Sequence, residues 1–186
     1  MAWLDFLVAF GYPGMFLLNF LGASSIVFPI PYTPALIAAG ATGSFHPFLL
    51  AIVAGLGSGL GEFVGYGAGY AGRSIVGEGY ERKFEAMLKI FNKYGTPAIF
   101  VFALTPLPDD LLFIPLGLAR YEFIKAFIPC VLGKFLMALI LIYIGKTAGW
   151  FIGQSWISAF ITGIILIIIM YIIFRLDWVK IAERFA

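Results

Sequence analysis

The sequence predicts an all-α integral membrane protein in which two opposed re-entrant helical hairpins form an inverted repeat. About three full transmembrane helices and one amphipathic interfacial helix complete the expected fold. Three observations predict it. Of the 186 residues, 62% are hydrophobic and 12% are charged, and the mean hydropathy is +1.00; soluble domains carry about a quarter charged residues. Two apolar stretches are interrupted by prolines in matching places. The chain also repeats itself with a displacement of 77 residues, which pairs Pro29 with Pro106, Pro31 with Pro108 and Gly40 with Gly117.

The span elements follow from length. Crossing a hydrocarbon core of about 30 Å takes about 20 apolar residues, and three segments supply them: Pro47 to Arg73, Phe123 to Thr147 and Trp156 to Phe174. Met15 to Gly40 and Pro97 to Gly117 are apolar enough but broken. Pro29, Pro31 and Pro34 interrupt the first, and Pro106, Pro108 and Pro115 the second. A proline inside a helix costs roughly 3 kcal/mol and removes a backbone donor. Two short helices joined at a proline-rich tip make a re-entrant hairpin, tolerated at membrane depth where protein or water surrounds it; the competing reading is a kinked ordinary span. The same displacement also pairs Tyr66 with Tyr143 and Gly72 with Gly149, so each copy reads as a hairpin followed by a crossing helix.

These elements make one membrane domain over residues 1–186. Repeat 1 runs over about 12–73, the amphipathic linker over 74–94, repeat 2 over about 95–149, and a last transmembrane helix and tail over 154–186. Counting crossings puts the second copy upside down relative to the first, with the hairpin tips meeting near the midplane. On that topology Arg73, Arg82, Lys83, Lys89, Lys93, Arg120, Lys125, Arg175, Lys180 and Arg184 share one face, opposite Lys146 alone. The positive-inside rule makes the basic face cytoplasmic. The protein is therefore expected in the cytoplasmic membrane, multi-pass, with the C-terminus and the 74–94 segment inside. Within that segment Phe84, Met87, Leu88 and Phe91 fall on one helical face, as in a helix lying on a membrane surface. The N-terminal MAWLDFLVAF lacks a basic signal-peptide start and reads as a short interfacial helix anchored by Trp3.

The formal net charge of +2 is too small and scattered for a nucleic-acid partner. Cys130 is the single cysteine and His46 the single histidine, so neither an internal disulfide nor a Cys/His metal site is expected. No nucleophile triad is visible. The expectation is a non-enzyme without cofactor or metal, leaving proton coupling open.

The charges inside apolar segments are the candidate site. Asp109 and Asp110 follow P-L-P at the second tip, where carboxylates are costly and suit proton coupling or cation binding; they also suit capping of the half-helix that follows. Glu62 and Lys134 lie midway along the first and second crossing helices. They are expected either to pair directly, or to meet Asp109, Asp110 or a ligand phosphate. Tyr32 and Thr33 occupy the first tip, where the second has the two acids. Gly57, Gly61, Gly65 and Gly69 form a continuous G-x-x-x-G stripe, with Gly55 and Gly59 on an adjoining face. It is expected to cradle a hairpin by close backbone packing; with no strand before it, it does not read as a nucleotide-binding loop.

The stretches FPIPYTPALIAAG (Phe28 to Gly40), GYGAGYAGR (Gly65 to Arg73) and TPLPDDLLFIPLGLAR (Thr105 to Arg120), followed by Gly133, Phe135 and Tyr143-x-Gly145, resemble the DedA/VTT superfamily of membrane proteins, also called SNARE-associated. The resemblance covers nearly the whole chain. It implies opposed re-entrant hairpins in an inverted repeat and movement of lipids between leaflets: polyprenyl-phosphate carriers in bacteria, phospholipids in eukaryotes, with proton coupling proposed for some members. The chain diverges from the bacterial pattern. Tyr32 and Thr33 stand where an acid usually follows the first P-x-P, and Thr105 and Leu111 replace the two arginines of an R-F-x-P-x-x-R pattern. Recognition of an anionic lipid then falls to Lys134, Arg120 or half-helix N-termini.

The leading expectation is thus a flippase- or scramblase-like transporter of a polyprenyl-phosphate or phospholipid, with membrane lipids as partners and a homo-oligomer as an option. The alternatives are a proton- or cation-coupled exporter of a small solute, and a non-transporting membrane scaffold.

Overall fold

In the computed structural model, residues 10–25, 32–75, 91, 95–105 and 110–152 are described. Among them the regular structure is helical throughout. The helices are α1 (Gly11–Ser24), α2 (Tyr32–Thr42), α3 (Pro47–Gly72), α4 (Gly95–Leu104), α5 (Asp110–Leu118) and α6 (Phe123–Ile152). The N-terminal segment, most of the 74–94 linker and the last expected span fall outside the described residues.

Length separates the helices into two kinds. At 1.5 Å per residue, the 26 residues of α3 and 30 of α6 reach about 39 and 45 Å, enough to cross a bilayer. The 14 residues of α1, 11 of α2 and 9 of α5 reach about 21, 16 and 14 Å, which is not. Each proline-broken stretch is therefore two short helices. Pro29, Pro31, Pro106 and Pro108 lie outside the described residues. Pro34 and Pro115, expected at the tips, do not break a helix. Pro34 is the third residue of α2, where the backbone N–H has no partner to lose, and Pro115 sits inside α5. α3 stops at Gly72, with Arg73 in a short 3-10 turn. α6 accommodates Pro129 and runs on to Ile152, past the Thr147 expected as its end.

The helix α3 is the hub: α1, α5 and α6 pack on it, and α2 packs on α6. Glycines set how close these helices come. Gly57 faces the carbonyl of Phe16 and Gly61 that of Phe20, so α1 and α3 run parallel. Gly55 lies against Phe135 and Gly59 against Val131, so α3 and α6 run antiparallel. The glycine stripe does not cradle one hairpin. Gly57 and Gly61 receive α1, whereas Gly69 receives Ile114 of α5; Gly65 is buried between them.

Two cores result, and they correspond residue by residue. One contains Met15, Leu36, Ala39, Leu50, Ala54 and Ile142; the other contains Ile99, Phe113, Leu116, Ala126, Cys130 and Tyr66 in the equivalent places. In α2 and α5 the displacement is 77, as Leu36 and Phe113 show. In α3 and α6 it is 76: Pro47 and Phe123 open the two helices, and Gly69 and Gly145 make equivalent contacts, with Ile114 and Ile37. Tyr66 therefore corresponds to Ile142, and its sequence pairing with Tyr143 is one residue out of register. The lost residue lies in the turn before the crossing helix: four residues, 43–46, run from the left-handed Gly43 up to α3, but three, 120–122, from the left-handed Arg120 up to α6. Both turns begin on a left-handed residue, Gly43 at φ 66° and Arg120 at φ 55°. Each donates its N–H three residues back, to Gly40 and Gly117. Glycine adopts that backbone freely, whereas a residue with a Cβ is disfavoured by roughly 1–2 kcal/mol.

The outward faces are apolar. Leu17, Leu21, Leu56, Leu60, Val64, Ile128 and Leu132 are all exposed, an arrangement suited to lipid rather than water.

Candidate functional site

The midpoint of each crossing helix lies between the two cores. Along α3 the first core ends at Ala54 and the second takes up at Tyr66; along α6 the order is reversed, Cys130 then Ala138. Glu62 and Lys134 occupy this seam. The Lys134 ammonium lies 2.9 Å from the Glu62 carboxylate, with side chains 1% and 4% exposed. Of the alternatives open in the sequence, the two pair directly. The pair does not obey the internal symmetry. The equivalents of Glu62 and Lys134 under the displacement of 76 are Ala138 and Ser58. The fold builds the same crossing without charge on the other side, so the pair is an addition to the scaffold rather than a requirement of it.

Tyr32 brings the first hairpin to this centre. It opens α2, its ring lies over Gly22 of α1, and its hydroxyl accepts a hydrogen bond from Lys134 at 3.4 Å. Helices α2, α3 and α6 thus converge on one buried ammonium, and α1 backs the Tyr32 ring. A charge this deep is desolvated at a cost of several kcal/mol, offset only by good pairing and further hydrogen bonds. The arrangement can hold an anionic group against Lys134, or rearrange its proton and hydrogen bonds between Glu62, Lys134 and Tyr32.

Two further buried polar groups line the same helices. Ser58, one turn before Glu62, donates to the carbonyl of Ala54 at 2.8 Å. Asn19 of α1 is fully buried beside Gly57, and its amide donates to Met15 at 2.7 Å. Its Oδ1 accepts no hydrogen bond among the described residues. Sequence reasoning passed over both, although an amide within MFLLNFLGAS and a serine at i−4 from a buried glutamate were the available signals. A buried unsatisfied acceptor costs about 1–3 kcal/mol. Asn19→Leu should therefore raise the thermal unfolding midpoint if Asn19 is only structural. A lowered midpoint would show that the amide's bond to Met15 and its fit beside Gly57 outweigh the unmet acceptor.

The remaining expected site residues are spread out. Thr33 follows Tyr32 in the first turn of α2. Asp110 is the first residue of α5, and Asp109 lies outside the described residues. Thr105 is buried and donates back to Phe102 at 2.7 Å. Arg120 is far along the fold from Lys134, on the turn between α5 and α6, with its guanidinium 5.1 Å from the centre of the Tyr70 ring. His46 precedes α3, and its backbone N–H donates to the Tyr12 hydroxyl.

The family profile described as the VTT domain matches residues 30–147. That interval holds α2, α3, α4, α5, and α6 as far as Thr147, and with them Tyr32, Glu62 and Lys134. No curated protein and no solved structure matches the chain. Since the profile covers well over half of the sequence and both bilayer-length helices, the chain belongs to the DedA/VTT family of membrane proteins.

Proposed function

We propose that this chain moves a lipid between the leaflets of the cytoplasmic membrane, with a phosphate-bearing lipid as cargo. In this reading the short helices α1, α2, α4 and α5 form two re-entrant hairpins, and Glu62, Lys134 and Tyr32 form the polar centre that a headgroup visits. One observation carries the reading: an ion pair buried at the midpoint of both bilayer-length helices, at 2.9 Å, present on one side of the internal symmetry and absent on the other. A charge held at membrane depth in a place the fold does not need is best explained by use. Lys134 supplies the positive charge, Tyr32 a hydroxyl and Glu62 the counter-charge that releases Lys134 when an anion arrives. The ionisable pair is also the natural point of coupling to protons.

The test is reconstitution of the full chain into vesicles carrying a reporter phospholipid or a reporter polyprenyl phosphate, with outer-leaflet label destroyed chemically. Protein-containing vesicles should lose clearly more than the half of the signal lost by protein-free vesicles. Equal loss for every lipid tried would overturn the proposal. Proton-driven flux of a small solute without lipid exchange would reassign the centre to solute export.

A further inference from the structure

The turn that follows α5 differs from its equivalent after α2 in a way the fold does not require. Both turns make the same backbone hydrogen bond from a left-handed residue. After α2 that residue is Gly43, which fits; after α5 it is Arg120, which does not. The strain is held in place from both sides. Tyr121 donates its N–H to Leu116, and its carbonyl accepts the hydroxyl of Tyr66. One helical turn on from Tyr66, the ring of Tyr70 carries the Arg120 guanidinium at 5.1 Å. The equivalents of Tyr66, Tyr70 and Arg120 are Ile142, Lys146 and Gly43, so the other turn keeps the backbone and has neither the hydroxyl that clamps the turn nor a cation over a ring. Backbone strain held by its surroundings points to use.

The chemistry is specific. A guanidinium held beside an aromatic ring has five N–H donors, more than one ring contact takes up, and these donors bind phosphate oxygens in a fork. Arg120 is exposed, and among the described residues no carboxylate forms an ion pair with it. We propose that Arg120, seated on Tyr70 and fixed by the Tyr66–Tyr121 hydrogen bond, is a phosphate-binding site at the α5–α6 end of the protein, separate from the buried centre. Its ligand is a phosphate group, carried either by a membrane lipid or by a soluble anion. The assignment uses neither Glu62 nor Lys134 and stands whether or not lipid exchange is observed.

The test is calorimetric titration of the full detergent-solubilised chain with dihexanoyl phosphatidic acid, with inorganic phosphate and with phosphate-free dihexanoylglycerol. Saturable binding of phosphatidic acid and none of dihexanoylglycerol is expected. Arg120→Gly should weaken it at least tenfold while leaving the thermal midpoint unchanged or higher, since glycine suits the backbone. Arg120→Lys and Tyr70→Leu should each weaken it less, and Tyr70→Phe should not. Equal affinity for inorganic phosphate would identify a soluble anion as the source, and preference for phosphatidic acid a lipid; both support the site. Wild-type affinity in Arg120→Gly, or no binding of either phosphate compound by the wild type, would overturn it.

Discussion

Lys134→Met is expected to destabilise the protein by roughly 3–5 kcal/mol, because it leaves the Glu62 carboxylate buried without its cation. The methionine fills nearly the same volume as the lysine stem, so lost packing contributes little. For a chain of this size the thermal midpoint should fall by on the order of 10 °C, measurable on the detergent-solubilised protein. Glu62→Leu should cost a similar amount, by removing the counter-charge from the buried ammonium. The combination Glu62→Leu with Lys134→Met should return to within about 1–2 kcal/mol of wild type, since replacing a whole buried pair by apolar groups is often neutral. Additive losses in the double variant would mean that each group has separate partners and that the 2.9 Å pair contributes little.

Gly117→Val is expected to have the second large effect, about 3 kcal/mol or more, at the upper end for overpacking. A side chain at Gly117 would overlap the backbone carbonyl of Tyr66. No rotamer change relieves a clash with backbone, so α5 would have to lift off α3. That movement also withdraws the Tyr66 hydroxyl from the carbonyl of Tyr121, loosening the turn that holds Arg120. Gly40→Val should behave alike through Ile142 of α6. Gly67→Val is the control, since a side chain there meets nothing within 4 Å. Comparing folded yield and unfolding midpoint among the three variants checks the account; a stable Gly117→Val would show that the helix crossing is looser than the glycines imply.

Much of the architecture was legible because its causes are local. Proline clusters disfavour helix wherever they occur, so Met15 to Gly40 and Pro97 to Gly117 could be read as broken, although Pro34 and Pro115 themselves lie within helices. Glu62 and Lys134 stood out because charge is rare in long apolar runs. The register of the repeat was not legible in the crossing helices. Glycine-rich segments match at several displacements, and only the contacts of Gly69 and Gly145 fix the value at 76 there. Asn19 and Ser58 were missed because an amide or hydroxyl in an apolar helix looks the same whether it faces lipid, a cavity or another helix. The direct partner of Lys134 depended on which residues the helix crossing brings together. The left-handed Arg120 was hidden because a side-chain-bearing residue stands where the other copy has the glycine Gly43.

If the buried pair serves transport and not stability, removing both charges should abolish exchange and spare the fold. Leaflet exchange of a reporter phospholipid and a reporter polyprenyl phosphate by reconstituted Glu62→Leu/Lys134→Met, set beside wild type, tests this most directly. The expected result is a folded protein of near-native midpoint that no longer exchanges lipid. Wild-type exchange by this uncharged variant would contradict it.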